Sequence, residues 1–366
     1  MKIGFFGGAF DPYHLEHKNI VLHAKEELGL DKVIVYPSNL PPHKTCAAPF
    51  QKRLELLKRA VKPYDFIIVD DIEGTTGKVN PTVEILPLLQ KKYPCDESFF
   101  IIGGDSLLKF DTWIRPQEIA KMTKIAVVAR ENREEVLRKK EETEKKYGAD
   151  ITVLDYVGKN VSSSLIKAHI ELGDKPDGLD EETYEIIREL GLYGERKALI
   201  EKQKAFLKPE RYEHVKRTTY YALKLNVNLG LNYDKVFTAA FFHDCAKPIK
   251  REIPGVPAGV VHQFVGPEIA KNEYGICDEE VLNAIGCHTT GKPGMTTLEK
   301  LIFCADMLEE GRKYDGVEKL REVIEKDFEK GFFACVKATY ELLTSQRRDV
   351  HPLTKMCFEY YNNLYV

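Results

Sequence analysis

Two sets of residues in this 366-residue chain have types and spacings that could do chemistry. The first is GGAFDPYHLEH, residues 7–17, where His14 and His17 follow a Gly-Gly pair. Gly7 and Gly8 permit a close backbone approach to phosphate. Residues three apart share a helix face, so both imidazoles can point at one anion beside a helix N-terminus. Three further pieces also fall where apolar runs end. They are PPHK (41–44) with Arg53 on the next helix, IIGGDSLLKFDTW with Asp105 and Trp113, and VSSSLIK (161–167). Serines at a helix start can cap it and donate to phosphate oxygens, with Lys167 one turn in. Taken in this order, the four pieces are equipment for holding a triphosphate.

The second set lies in the other half: His214 in RYEHVKRT, His243 and Asp244 in FFHDCAK, His262 in VVHQFVG, His288 in GCHTTG and Asp306 in FCADMLEEGR. Neutral imidazole and carboxylate are suitable ligands for Fe, Mn or Zn. An Asp inside the apolar stretch FCAD would need a partner for its charge. Six ligands are too many for one catalytic ion that must keep open positions, and they suit two.

The segments that must position these residues change character along the chain. KIGFFGG, KVIVYPS, FIIVDDIE, SFFIIGGDS, KIAVVAR and ITVLDYV read as strands, with helical patterns between them. One of those helices, PTVEILPLLQKKY, is expected to be interrupted by Pro87. Apolar strands alternating with helices imply an α/β domain, a parallel sheet covered on both faces, with ligands at the carboxyl ends of its strands. After GLYGER (191–196) the patterns are helical only, which implies an all-α second half. The expected limits are 1–196 for the first domain, 197–210 for a helical connector and 211–366 for the second domain.

Composition removes some classes. A formal net charge of −3 offers no basic excess for general nucleic-acid binding. No apolar run reaches the roughly 18–20 residues that span a bilayer, and the first residues read as a buried strand, not a signal peptide. Eight cysteines without a CxxC pair suit a reducing cytoplasm, with Cys245 and Cys287 packed as small hydrophobes. Assembly into a homo-oligomer is left open.

The first half resembles nicotinate-nucleotide adenylyltransferases, of the H-x-G-H nucleotidylyltransferase superfamily. The resemblance rests on GGAFDPYHxxH, PPHK, FFIIGGDS with Trp113, VVAR ending in Arg130, VSSS and GLYGE. It implies a Rossmann-like fold and transfer of AMP from ATP to nicotinate mononucleotide, with Mg²⁺ carried by ATP. By the same resemblance, His14 and His17 hold the phosphates and stabilise the transition state, while Lys44, Arg53, Ser163 and Lys167 balance the triphosphate. Gly7, Gly8 and Phe10 would border the nucleotide; Asp105, Trp113, Thr82 and Arg130 would help to bind substrate. Three positions depart from the family. Glu16 replaces the Gly between the histidines, NPTVE (80–84) keeps Thr82 but lacks the family's Tyr, and Lys167 replaces an Arg. An acid in a first helical turn is favourable by about 0.3–1 kcal/mol, so Glu16 is expected to point to water. The same acid stands close to where adenosine should lie, so its replacement by glycine is expected to raise transfer or leave it unchanged, by relieving crowding and repulsion near the nucleotide. An alternative makes the first domain a non-catalytic or retuned nucleotide-binding module, or a transferase for another phosphorylated acceptor.

The second half resembles the HD superfamily of metal-dependent phosphohydrolases, through HDCAK, His262, HTTG and ADxxEEGR. It is most similar to a bacterial branch that splits diadenosine tetraphosphate symmetrically into two ADP. The resemblance implies an all-α HD domain whose six ligands hold two transition-metal ions, iron foremost. It assigns Asp244 and Lys247 to catalysis and makes Lys247, Thr290 and Arg312 candidates for binding phosphate.

Overall fold

In a computed structural model, which describes residues 1–40, 46–75, 80–130, 132–346 and 349–365, six strands form one parallel sheet. They are β1 (Lys2–Gly8), β2 (Lys32–Pro37), β3 (Ile67–Val69), β4 (Glu97–Gly103), β5 (Lys124–Val128) and β6 (Ile151–Val153). The order is β3-β2-β1-β4-β5-β6. The chain therefore builds outward from β1 to β3, then returns to place β4 on the other side of β1. Phe5 on β1 stands opposite both Ile34 and Phe100. Such continuous apolar strands are what a sheet covered by helices on both faces requires. Between β1 and β4 the direction of winding reverses, leaving a crevice at the carboxyl ends of the strands where ligands bind in folds of this kind.

The helix Leu15–Leu28 follows β1 and ends at Gly29, whose φ of 63° is a left-handed conformation that glycine adopts without strain. The helix Thr82–Lys92 runs unbroken through Pro87, where the sequence suggested an interruption. Pro87 is exposed, and the helix continues although the Val83 carbonyl loses the N–H that another residue at 87 would supply. The fully buried Phe5, Ile34, Leu86, Leu107 and Val136 belong to the core cluster of this sheet and its helices.

The chain divides into two compact units. One comprises Met1–Lys167 with Lys175–Gly194; the other comprises Ala168–Asp174 with Glu195–Val366. The second unit is helical. Its long helix Pro209–Leu229 starts with proline at a first-turn position, where the missing N–H costs nothing. It packs against the helices Tyr233–Phe242 and Thr297–Leu308. Side chains cap the shorter helices: Asn232 accepts from the Lys235 N–H, Asp278 from the Glu280 and Val281 N–H groups, and Thr296 forms a capping box with Glu299. The helices Val317–Lys326 and Pro352–Tyr365 follow in the same unit, in keeping with its all-α pattern.

All eight cysteines are free thiols, and both Cys245 and Cys287 are buried. Among the described residues no helix is long and apolar enough to cross a membrane.

Candidate functional sites

In the first unit, His14 is the residue at which the chain enters the Leu15–Leu28 helix, directly after the β1 loop. The His14 and His17 rings stack, with centroids 3.6 Å apart and planes 20° from parallel. The His14 backbone N–H donates to His17 Nδ1 at 3.3 Å. Phe10, buried and with φ of 45°, sets its ring edge-on to His17 at 4.9 Å. The two imidazoles thus form one unit at a helix N-terminus, as their spacing suggested. A side chain at Gly7 would meet the Tyr36 ring at 2.6 Å, so sheet packing also demands glycine there; at Gly8 it would meet the Phe10 ring at 3.1 Å.

Two expected phosphate ligands are engaged by protein groups. Arg53 is 1% exposed, and its guanidinium donates to four backbone carbonyls: Ala48 at 3.0 Å, Ala9 at 2.6 Å, Ser38 at 2.8 Å and Asn39 at 3.3 Å. It ties loops together in place of meeting a triphosphate. Lys167 is buried and forms an ion pair with Asp11 at 3.1 Å. That carboxylate also accepts the Ala47 and Ala48 N–H groups and the Tyr193 hydroxyl. The charge expected for phosphate is therefore balanced inside the protein.

Ser163 opens the helix Ser163–Glu171, and Ser162 Oγ accepts the Leu165 N–H at 3.3 Å, a cap the serine run suggested. Thr82 opens its own helix. Asp105 and Arg130, both expected to bind substrate, pair with each other at 3.3 Å. Trp113 packs on the core, its ring 5.4 Å from Phe110 and 6.0 Å from Phe100. Lys44 and the PPHK loop lie outside the described residues.

Glu16 does not point to water. It is 2% exposed, and the Tyr156 hydroxyl donates to its Oε2 at 3.0 Å. Burial raises its pKa; Tyr156, the Lys159 backbone and the Arg130 charge only partly offset that. The preference of an exposed acid for a helix N-terminus is overridden here by a specific partner from another element.

The second unit gathers its four histidines and two aspartates from five helix positions. His214 lies within the Pro209–Leu229 helix, and His243 and Asp244 follow Phe242 at the end of a buried helix. His262 is the second residue of Val261–Tyr274, His288 follows Glu279–Ile285, and Asp306 is in the last turn of Thr297–Leu308. Asp244 stands between two sets. Its Oδ2 lies 3.6 Å from His243 Nε2 and 3.8 Å from His214 Nε2; its Oδ1 lies 3.2 Å from His262 Nε2 and 3.7 Å from His288 Nε2. Asp306 Oδ1 closes the first set at 3.0 Å from His214 Nε2.

The outer nitrogens are anchored. His243 Nδ1 donates to the Ala240 carbonyl and His288 Nδ1 to the Ile285 carbonyl, each at 2.7 Å. His214 Nδ1 faces Glu309 Oε1 at 3.1 Å, and Arg217 in turn holds Glu309. Anchoring of this kind fixes the tautomer that turns an Nε2 lone pair inward, as metal-binding histidines require. Burial lowers the pKa of His243 to about 4 and that of His262 to about 3, keeping both neutral. Burial alone would raise the carboxyls of Asp244 and Asp306. The surrounding imidazoles and cations outweigh it and hold both well below the usual carboxylate range. Asp244 Oδ1 is buried and accepts no hydrogen bond. Two neutral imidazoles, ionised carboxylates and an unsatisfied buried oxygen fit divalent transition metals; His214, whose pKa Asp306 and Glu309 raise against the effect of burial, would shed its proton to a bound ion. Among the described residues, His214, His243 and Asp306 form one triad with metal-ligand spacing, and His243, Asp244 and His288 another.

Cations line the approach. Lys247 Nζ is 3.2 Å from His262 Nε2, and Arg312 Nη2 is 2.5 Å from Asp306 Oδ1. Thr290 is not free to bind phosphate: its buried hydroxyl accepts from Gln263 at 2.7 Å and donates to the Gly291 carbonyl. The neighbouring Thr289 faces the cluster instead, its Oγ1 3.2 Å from His262 Nε2. Arg211 and Glu309 escaped the sequence reading. The signal for Arg211 was its place one turn before His214 on the same helix face. That for Glu309 was its place three residues after Asp306.

Histidines at a strand-end helix and ligands at converging helix ends define an α/β unit of nucleotidyltransferase type and a helical unit of metal-centre type. Residues 5–169 match the family described as cytidylyltransferase-like, and residues 211–311 match the HD domain. A probable nicotinate-nucleotide adenylyltransferase of Clostridium perfringens is 34% identical over 46% of this chain and 86% of its own length. One from Clostridium acetobutylicum is 36% identical over 52% of this chain and 98% of its own. A solved structure from Clostridium acetobutylicum, described as a predicted HD superfamily hydrolase involved in NAD metabolism, is 28% identical. It covers 46% of this chain and 97% of its own, with a TM-score of 0.42. The chain belongs to the nicotinate-nucleotide adenylyltransferase family and carries an HD domain in addition.

Proposed function

We propose that the chain is a bifunctional enzyme. In the first activity the phosphate oxygen of nicotinate mononucleotide attacks the α-phosphorus of ATP. The bond to the β-phosphate bridge breaks, giving deamido-NAD and pyrophosphate. Such a transfer needs positioning and charge stabilisation more than a covalent catalyst. The observation that carries this reading is the stacked His14–His17 pair at a helix N-terminus in a chain of that family. Both rings would serve one anion, with ATP bringing Mg²⁺.

In the second activity water adds to a phosphorus beside the central bridge of diadenosine tetraphosphate. The bond to that bridging oxygen breaks, and two ADP leave. His214, His243, Asp244, His262, His288 and Asp306 would hold two transition-metal ions, iron foremost, with manganese or zinc as alternatives. The metals would supply Lewis-acid stabilisation of charge on phosphate oxygens. Lys247, Arg312 and Arg211 would receive the polyphosphate at the rim. The arrangement of Asp244 between two histidine sets supports this reading. The activities are assigned to residues 1–196 and 211–366, joined by 197–210, in a reducing cytoplasmic setting that suits eight free thiols.

The test is a substrate panel on the intact protein. Pyrophosphate release is measured with nicotinate mononucleotide, nicotinamide mononucleotide or phosphopantetheine, and ADP release with diadenosine tetraphosphate. Turnover of the first acceptor above the other two, and ADP as the sole hydrolysis product, are expected. ATP binding without turnover of any acceptor would remove the transferase reading. Fewer than one metal equivalent after anaerobic, chelator-free preparation would remove the two-metal one.

A further inference from the structure

One face of the helix that carries the histidine pair has a polar stripe that neither proposed activity uses. Glu16, Asn19, His23 and Glu27 fall within about 80° of one another around the helix axis. All four grip the segment after β6. Glu27 accepts the backbone N–H groups of Asp155 at 2.6 Å and Tyr156 at 3.1 Å. His23 stacks on the Tyr156 ring, with centroids 4.0 Å apart and planes 9° from parallel. Asn19 hydrogen-bonds the Tyr156 phenol, which in turn donates to Glu16 Oε2 at 3.0 Å. Tyr156 thus lies along two turns of the helix with every polar atom of its side chain engaged.

The segment is shaped to receive Glu16. A side chain at Gly158 would meet Glu16 Oε1 at 3.0 Å, Val128 Cγ1 at 3.1 Å and Arg130 Cγ at 3.4 Å. The volume that a glycine at position 16 would leave open is filled by the acid, and the glycine stands at 158 in its place. The Gly158 N–H bonds the Ala129 carbonyl at 2.9 Å, so the clasped segment returns to the carboxyl end of β5 beside Arg130. It then leads into the serine run that opens the Ser163–Glu171 helix.

We propose that Glu16 and Tyr156 form a positioning clasp for the nucleotide site. They hold the segment that carries Gly158 and the serines, and with it Arg130, in register with the first turn that bears His14 and His17. Glu16 is then neither a solvent-facing acid nor an obstruction in the nucleotide crevice. The clasp rests on the adenylyl-transfer reading for its effect on turnover, but its effect on binding and on segment order does not depend on the acceptor.

The variants are Glu16→Gly, Tyr156→Phe (which removes one hydroxyl) and Glu16→Gln (which keeps an acceptor for the phenol). Affinity for the α,β-methylene analogue of ATP, amide hydrogen exchange over residues 155–161, and KM and kcat are measured on the full chain. Glu16→Gly and Tyr156→Phe should each weaken analogue binding and raise KM for ATP roughly tenfold. Because the positioned groups act in ground and transition state alike, kcat should stay within about twofold. Exchange over 155–161 should quicken, and Glu16→Gln should restore all three. Unchanged affinity and exchange in Glu16→Gly and Tyr156→Phe overturns the clasp, as does a lower melting temperature with unaltered KM. A wild-type protein that binds the analogue but makes no deamido-NAD overturns the transferase reading alone, since binding and exchange still judge the clasp.

Discussion

Arg211 Nη1 donates to Asp244 Oδ2 across 2.7 Å, from the helix turn that precedes His214. A half-exposed guanidinium therefore touches the carboxylate on which both histidine sets converge. Its remaining donors suit the oxygens of a phosphate chain. Arg211→Gln should raise KM for diadenosine tetraphosphate roughly tenfold or more, as loss of a charge-assisted hydrogen bond implies. Metal content by elemental analysis should be unchanged. A variant that loses its metal and keeps its KM would make Arg211 a support for Asp244 only.

Glu309 orients His214 from behind and is itself held by Arg217 and the Gly311 N–H. Glu309→Gln should weaken metal binding by about 10- to 100-fold, the usual effect of losing such an outer partner. Titration of the metal-free protein with Mn²⁺ reads this directly. Adenylyl transfer should persist in Glu309→Gln, His243→Ala and Asp244→Ala; its loss in all three would mean that the two activities are not independent.

Arg53 should matter to stability before it matters to catalysis. Arg53→Met leaves the carbonyls of Ala9, Ser38, Asn39 and Ala48 without their shared donor. The cost expected is on the order of 3 kcal/mol, read from urea unfolding of the intact chain. Arg53→Lys should recover little of it, because one ammonium cannot span acceptors arranged for a planar fork. Full recovery by lysine would return Arg53 to the role of a simple phosphate-binding charge.

Glu16 gives a pH signature. Burial raises its folded-state pKa above the ordinary glutamate value. A carboxyl with a raised folded pKa contributes most when protonated, below its unfolded pKa, and that contribution is lost as pH rises through the folded value. Glu16→Gln, which cannot ionise, should therefore gain in melting temperature relative to wild type as pH rises from the acid range toward neutrality. A gap that shrinks over that range would mean that Arg130 and the Lys159 N–H outweigh burial.

Much of the architecture is legible in the chain because burial on both faces leaves a plain mark. Runs such as KIGFFGG and KIAVV have no polar alternation, and all six strands lie where such runs stand. The ligand-type residues of the helical unit were legible for a related reason. A histidine or aspartate inside an apolar helix must meet a partner, and these six meet one another.

Charge and hydroxyl type, by contrast, did not reveal allegiance. Arg53, Lys167 and Thr290 have the chemistry of phosphate ligands, yet each is consumed by protein groups brought from elsewhere: four carbonyls, Asp11, and the Gln263–Gly291 pair. Pro87 carries the chemistry of a helix break, yet the packing of Val83, Ile85, Leu86 and Leu89 in the core holds the helix through it.

Glu16 marks the boundary between the two kinds of knowledge. That an acid stands between His14 and His17 is plain from the chain alone, and local helix physics directs such an acid to water. The fold places it elsewhere. It brings Tyr156 and Gly158 from 140 or more positions away to supply one hydrogen bond and the space for one carboxylate. Local propensity is worth about 0.3–1 kcal/mol, and the hydrogen bond from Tyr156 is at least of that size.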